Sequence, residues 1–188
     1  MVSKASCKSV FVTVGTTQFS ALTNIVSSDK FLDVLKQAGY SNITIQHGSA
    51  VMPSPPAHKV SVSSYDYKNS LAEDFSRADL IITHGGAGSI MEGLTRVRES
   101  CGKVKMLVVV NADLMDNHQT EIADKLERDG HILYATLGEN SLNNSDRQSE
   151  EQSQLIEVME KVEMFEPKIY EKPQPLVFAN FVDKLMDV

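Results

Sequence analysis

The sequence lacks the features that would place it in a specialised class of protein. Its 188 residues include two cysteines, Cys7 and Cys101, with no Cys-x-x-Cys pair and no Cys/His cluster at zinc-binding spacing. Disulfides and structural zinc are therefore excluded as the basis of the fold, and reduced thiols are typical of a reducing compartment. A chain of this length can bury roughly 70% of its unfolded surface, which is enough for one domain with an apolar core.

Long apolar runs and excess positive charge are also absent. The runs at 10–14 and 106–110 are too short for a signal-peptide core or a membrane span, so we expect neither. Eighteen Lys and Arg against 25 Asp and Glu give a net charge of −7, which argues against broad binding to a nucleic-acid backbone. The composition, 41% hydrophobic and 23% charged, is that of an ordinary soluble globular protein.

Short β-branched runs alternate with segments of helical periodicity. The predicted strands are 9–14, 42–46, 59–63, 79–83, 105–110 and 131–134, and the predicted helices are 19–38, 69–77, 90–97, 117–128 and a last one ending near 164. Strands separated by helices indicate βαβ units, hence an α/β, Rossmann-like fold with a mainly parallel sheet and helices on both faces. The alternating strand 59–63 is expected at an edge of that sheet.

The end of the chain differs in composition from the rest. We assign residues 1–165 to one domain, in which the polar segment 139–154 is predicted to be a mobile loop. Residues 166–188 are predicted to form a proline-punctuated connector and an amphipathic helix. The apolar side of that helix would carry Phe178, Phe181, Val182 and Leu185.

The most informative segment is DLIITHGGAGSIMEG, residues 79–93, in which a strand leads into a glycine-rich turn and then a helix. The free N–H groups at a helix start, together with the helix dipole, favour an anion such as phosphate. Neither standard nucleotide motif fits this turn. Leu94-Thr95 stand where a P-loop needs Lys-Ser/Thr, and Met91 stands where a dinucleotide fingerprint needs its third glycine.

Two further groups could hold a nucleotide sugar. Glu92 lies one turn into the helix, where its carboxylate could accept both hydroxyls of a ribose or could simply be solvated. Asp116 precedes another predicted helix and is a sound N-cap. His118 and Gln119 have no capping duty and could bond to the hydroxyls of a sugar.

Four segments together resemble the C-terminal, donor-binding half of the inverting GT-B glycosyltransferases of family 28. They are FVTVGTT (11–17), YKNSL (67–71), ADLIITHGGAGS (78–89) and LMDNHQ (114–119). The resemblance is closer to the soluble catalytic subunits of the eukaryotic UDP-N-acetylglucosamine transferase. It implies a nucleotide-sugar-binding domain over 1–165 that takes UDP-GlcNAc as its donor. The implied reaction is addition of the second GlcNAc, in β1,4 linkage, to GlcNAc-diphosphodolichol in N-glycan precursor synthesis.

The resemblance also implies roles for the matching residues. The implied donor-binding set is Gly15, Thr16, Gly86, Ala87, Gly88, Ser89, Glu92, Asn117, His118 and Gln119. Within it, the glycine-rich turn would hold the diphosphate, Glu92 the ribose, and the last three residues the sugar. Thr16, Thr17 and His84 are candidate catalytic residues, although the general base could lie on a partner and His84 could equally be structural.

The same resemblance implies a membrane-anchored partner subunit that binds the acceptor and recruits this chain to the cytosolic face of the endoplasmic reticulum. The apolar side of 176–188 is the candidate docking element, unless it packs on its own domain. No Asp-x-Asp motif occurs, so we expect catalysis without metal or cofactor. Two alternatives remain: an NAD-type oxidoreductase, which the failed glycine fingerprint opposes, and a non-catalytic nucleotide-sugar-binding module or regulatory subunit.

Overall fold

The computed structural model describes residues 7–54, 56–113, 117–138 and 145–171, with strands and helices in alternation. The strands are β1 (Lys8–Thr13), β2 (Tyr40–Gln46), β3 (Ser61–Tyr65), β4 (Leu80–His84), β5 (Lys105–Asn111) and β6 (Leu133–Leu137). The helices are α1 (Ser20–Val26), α2 (Asp29–Gln37), α3 (Ala72–Arg77), α4 (Ala87–Glu99), α5 (Asn117–Arg128) and α6 (Ser145–Val162).

The strands form one sheet in the order β3-β2-β1-β4-β5-β6, and every neighbouring pair is parallel. This confirms the predicted α/β, Rossmann-like class and places β3 at an edge, as expected. Because all strands run the same way, their carboxyl ends lie along one edge of the sheet. Ligands of open α/β sheets bind at that edge.

Two apolar cores cover the two faces of the sheet. On one face α1, α2 and α6 bury side chains such as Phe31 and Leu155. On the other face α3, α4 and α5 pack over Phe11, whose ring meets Phe75 edge-on with centroids 5.1 Å apart. Each fully buried side chain of this size contributes about 1.5–3 kcal/mol. The sheet is thereby a rigid platform for the turns at its carboxyl edge.

Gly93 of α4 packs directly against the Met106 side chain of β5. A Cβ atom on Gly93 would stand 2.7 Å from the sulfur of Met106, so that side chain would have to move to admit a larger residue. Close helix–strand packing is the role of the third glycine in a dinucleotide fingerprint. Here Gly93 takes that role, two residues beyond Met91.

The predicted helix 19–38 is two helices. The hydroxyl of Ser27 donates to the Thr23 carbonyl (2.8 Å) and that of Ser28 to the Ile25 carbonyl (2.7 Å). Ser28 also caps the next helix by accepting from the N–H of Phe31. Serine hydroxyls that bond to the local backbone compete with helix continuation, and the chain turns here.

The predicted loop 139–154 is wrong over its second half, because α6 begins at Ser145. Leu155 and Met159 of α6 are fully buried, and the amide of Gln152 donates to the Ser28 hydroxyl (2.8 Å). The polar residues that suggested a loop belong to the exposed side of this helix. Residues 139–144 lie outside the described residues, as does the segment 172–188.

Several predicted boundaries move by a few residues. The helix predicted at 90–97 begins at Ala87 and ends at Glu99, so the glycine-rich turn is partly helical. The strand predicted at 131–134 lies at Leu133–Leu137. In the described part of the chain, no helix combines the length and the hydropathy required to span a membrane.

Candidate functional site

Three turns meet at the carboxyl edge of the sheet. Strand β4 lies between β1 and β5, so the turn after it is flanked by the turns after β1 and β5. These are the segments 15–17, 85–89 and the approach to α5, of which 114–116 lie outside the described residues. The sequence motifs are therefore neighbours in space, as expected, while the ligand roles of their residues stay predictions.

The N-terminus of α4 is uncapped. Gly86 is the N-cap with extended backbone angles (φ −71°, ψ 128°), and among the described residues no side chain caps this helix. The first intrahelical bond runs from the N–H of Ile90 to the Gly86 carbonyl (3.0 Å). The N–H groups of the three residues between them have no intrahelical acceptor. Ala87 and Gly88 are exposed, and a Cβ on Gly88 would meet no atom within 4 Å, so open space lies beside these donors.

Glu92 follows one turn later on α4 and is exposed. Its side chain makes no ion pair or hydrogen bond with the described residues. Partial desolvation raises the pKa of its carboxyl, and no charged neighbour contributes to that shift. A carboxylate without an internal partner, beside an uncapped helix start, is available to a ligand.

Helix α5 brings Gln119 to the same turn. A Cβ on Gly85 would lie 3.0 Å from Oε1 of Gln119 and 3.0 Å from a methyl of Val110, so glycine permits this close approach. The helix begins at Asn117, as predicted. The side chains of Asn117 and His118 lie outside the described residues.

In the turn after β1, the two candidate threonines, Thr16 and Thr17, have different surroundings. Gly15 has φ 61°, a left-handed conformation that glycine adopts without strain. Thr17 is committed to the turn, since its hydroxyl and its N–H both donate to the Val14 carbonyl (2.7 and 3.3 Å). Thr16 is exposed and presents its side chain outward. Of the two, Thr16 is therefore the one available to a ligand.

His84 packs between the two glycine-containing turns. A Cβ on Gly15 would stand 2.6 Å from Cε1 of the ring, and one on Gly86 would stand 2.3 Å from Nε2. Burial lowers the pKa of His84, while a backbone hydrogen bond with Thr13 acts in the opposite direction. The Nδ1 atom is buried and has no hydrogen-bond partner in the part of the chain that the structure describes. The ring packs between the two turns, and its lowered pKa favours the uncharged form. Both observations support a structural role for His84.

Gln46, the last residue of β2, is the residue that the sequence reasoning missed. It is 2% exposed, and its amide bonds to Thr13, Gly15 and Asp66. The sequence gives little signal for it, because NITIQ alternates polar and apolar residues and Gln46 continues that alternation. Over the described ranges, no group of three or more His, Cys, Asp and Glu side chains is arranged to hold a metal ion.

The chain is similar to known proteins over most of its length. The model of the glycosyltransferase family 28 C-terminal domain matches residues 9–174. Over 131 residues the chain is 43% identical to the UDP-N-acetylglucosamine transferase subunit ALG13 of Homo sapiens, which covers 69% of this chain. The chain spans only 11% of the length of that relative.

Two solved structures share the fold. The NMR solution structure of ALG13 superposes with a TM-score of 0.62 at 24% identity, covering 93% of this chain and 94% of that one. The crystal structure of MurG from Acinetobacter baumannii superposes with a TM-score of 0.53 at 21% identity, covering 99% of this chain and 51% of that one. At these identities the likeness concerns the fold alone.

Proposed function

Because the chain belongs to glycosyltransferase family 28, as a C-terminal domain of that family, we propose that it binds UDP-GlcNAc and transfers its sugar. The observation that carries the proposal is the uncapped start of α4, which offers N–H donors to a diphosphate. Glu92, unpartnered among the described residues, lies one turn further along α4, where it is proposed to bind the ribose hydroxyls. The printed name of the human relative, a UDP-N-acetylglucosamine transferase subunit, supports the choice of donor.

The finer proposal concerns the acceptor and the partner. The acceptor is GlcNAc-diphosphodolichol, and the product carries a second GlcNAc in β1,4 linkage. The word subunit in the name of the relative supports a partner chain, and the match to 51% of the MurG chain supports a donor-binding half that works together with an acceptor-binding half. That half is a membrane-anchored subunit which binds the lipid-linked acceptor and recruits this chain to the cytosolic face of the endoplasmic reticulum.

In the proposed mechanism the acceptor hydroxyl attacks the anomeric carbon from the face opposite to UDP. Its proton passes to a general base, which the partner subunit could supply, and the bond from the anomeric carbon to the diphosphate breaks. Negative charge then grows on the β-phosphate. The N–H groups of Ala87, Gly88 and Ser89 stabilise that charge more strongly in the transition state than in the bound donor. The configuration at the anomeric carbon inverts, which gives the β-linkage.

These backbone donors also support catalysis without a metal ion, together with the absence of an Asp-x-Asp motif. We therefore predict that transfer continues at an undiminished rate in EDTA. The measurement is the initial rate of GlcNAc transfer before and after chelation. Activity that EDTA abolishes and Mn²⁺ restores would contradict this prediction.

The transfer itself is tested with labelled UDP-GlcNAc and the purified chain, with and without a membrane fraction that supplies the partner and acceptor. The expected result is label in the lipid-extractable product only when chain and membranes are combined, and at a rate that increases with added chain. Saturable donor binding without transfer under either condition would instead support a non-catalytic nucleotide-sugar-binding module or regulatory subunit.

A further inference from the structure

The side chain of Gln46 makes four hydrogen bonds at once in the interior of the protein. Its Oε1 accepts from the hydroxyl of Thr13 (2.5 Å) and from the N–H of Gly15 (2.9 Å). Its Nε2 donates to the carbonyls of Gly15 and Asp66 (both 2.8 Å). A primary amide has two donor hydrogens and two acceptor lone pairs, so its capacity is fully used. A buried amide that satisfies every partner is rigid, because each lost bond would leave a buried polar group unpaired.

This amide joins the carboxyl ends of three strands. Thr13 is the last residue of β1, Gln46 is the last residue of β2, and Asp66 directly follows β3. Gln46 holds Gly15 through both its N–H, which also donates to the Thr13 hydroxyl oxygen (3.1 Å), and its carbonyl, which fixes the orientation of the backbone on each side of it. Glycine reaches the left-handed conformation (φ 61°) easily but leaves it just as easily, so an external hold is needed to keep the turn in one shape.

The rest of the turn is confined from two sides. The ring of His84 lies against Gly15 on the side of β4. On the side of β2, the backbone of Gly48 approaches so closely that a Cβ there would stand 2.6 Å from the Thr17 carbonyl oxygen. The exposed residue of the turn, Thr16, is therefore directed away from both of these contacts.

We propose that Gln46 is a positioning residue for sugar transfer, which acts by holding both polar groups of Gly15 and thereby fixing Thr16 relative to the start of α4. Gln46 contacts no ligand itself, since it is 2% exposed. The inference rests on the proposed function and adds a residue to it. Its effect falls mainly on kcat and less on donor affinity, because Gly15 and Thr16 are only part of the expected donor-binding set and the groups of that set on α4 do not bond to Gln46.

The amide chemistry supplies a selective test. In Gln46→Glu the Oε1 bonds can persist, but the second oxygen faces the carbonyls of Gly15 and Asp66 without a hydrogen to donate. Burial and the two facing carbonyl oxygens disfavour an ionised carboxylate there, so its pKa is raised above the ordinary value of about 4.3, whereas a protonated carboxyl can donate to one of the carbonyls. The defect of this variant should therefore shrink as the pH falls. Gln46→Met keeps the length of the side chain, loses all four bonds, and should be equally impaired at every pH.

The experiment measures kcat and KM for UDP-GlcNAc transfer, with the membrane fraction present, at about pH 5.5 and about pH 8. His47, His84 and Asp66 lie around the turn in parent and variants alike, so each rate is divided by that of the parent at the same pH. For Gln46→Glu we expect kcat to fall about tenfold at the higher pH and to recover to within about threefold at the lower pH. For Gln46→Met we expect the same loss of about tenfold in kcat at both pH values. For both variants we expect KM to rise by a smaller factor than kcat falls.

The matched control is Gln37→Glu, the same substitution at the exposed end of α2, which should leave kcat unchanged at both pH values. Circular dichroism at the assay temperature shows that each variant is folded. Folded Gln46 variants with parental kcat at both pH values would overturn the proposal, and so would a defect in Gln46→Glu that does not depend on pH.

Hydrogen exchange of the Gly15 backbone amide tests whether the turn is fixed, and it requires no assay of sugar transfer. In the parent chain the Gly15 amide should exchange slowly, since its hydrogen is bonded inside the protein. Fast exchange there would overturn the proposal even if the variants fail to fold. A parent chain that transfers no sugar but protects this amide would instead refute the proposed function and leave the role of Gln46 in the turn intact.

Discussion

At the scale of single residues, Glu92 and His84 differ in what surrounds them. Glu92 is exposed and has no internal partner among the described residues, so its carboxylate is accessible for the proposed contact with the donor. His84 is wedged between two backbone turns, and burial keeps its ring neutral. The two side chains flank the same uncapped helix start, and each gives a separate prediction.

Replacing Glu92 with alanine should weaken UDP-GlcNAc binding by about 1–3 kcal/mol, because the two ribose hydroxyls lose their acceptor. Isothermal titration calorimetry measures the change directly. The matched control is Glu99→Ala, at the exposed far end of the same helix, which should bind the donor as the parent does. Unchanged affinity in Glu92→Ala would show that this carboxylate is merely solvated.

The neutral state of His84 predicts a dependence of stability on pH. The folded-state pKa lies below the ordinary value of about 6.5, so under acidic conditions the unfolded chain binds a proton that the folded chain resists. The free energy of unfolding should therefore fall as the pH drops through and below about 6.5. Urea unfolding of the parent and of His84→Asn measures this, and the variant should lose part of the slope. Identical slopes would contradict a buried neutral imidazole.

At the scale of elements, the two glycines at the start of α4, Gly86 and Gly88, differ in the space around them. Gly86→Ala would place a Cβ 2.3 Å from the His84 ring, so the variant should be destabilised by about 1–3 kcal/mol through overpacking. Gly88→Ala is the matched control, because its Cβ would enter open space in the first turn of the helix. Its stability should equal or exceed that of the parent. Urea unfolding measures the stability of both variants. Equal losses of stability would contradict close packing of the His84 ring against Gly86.

The sequence predicts a helix or strand correctly where its apolar pattern is the only strong local signal. It does so less well where polar residues give a competing signal. The apolar strand 105–110 and the helix 117–128 match their structural counterparts closely, because their patterns are unambiguous. The break at Ser27 and Ser28 was missed, since apolar periodicity continues across it. The sequence predicts a loop over 145–154, where α6 in fact begins, because polar residues dominate the first turns of this helix. The motif turns were found from their residues, whereas Gln46 was missed because its role depends on three strands meeting.

At the scale of the whole molecule, one Rossmann-like sheet brings three separate sequence motifs to a single edge. The family match shows which fold this is, and the chain spans half of the length of the MurG chain on which it superposes. Under the proposed function, this edge binds the donor and a partner subunit brings the acceptor. The proposed heterodimer follows from that arrangement.

The central claim is that the carboxyl edge of β1 and β4 binds UDP-GlcNAc. The most direct measurement is the ¹⁵N–¹H correlation spectrum of the labelled chain during titration with the donor. The largest saturable shifts should fall on the amides of Gly15, Ala87, Gly88 and Ser89. A spectrum in which these four amides stay unchanged, or in which the shifts gather around 100–105 at the opposite edge of the sheet, would contradict the account.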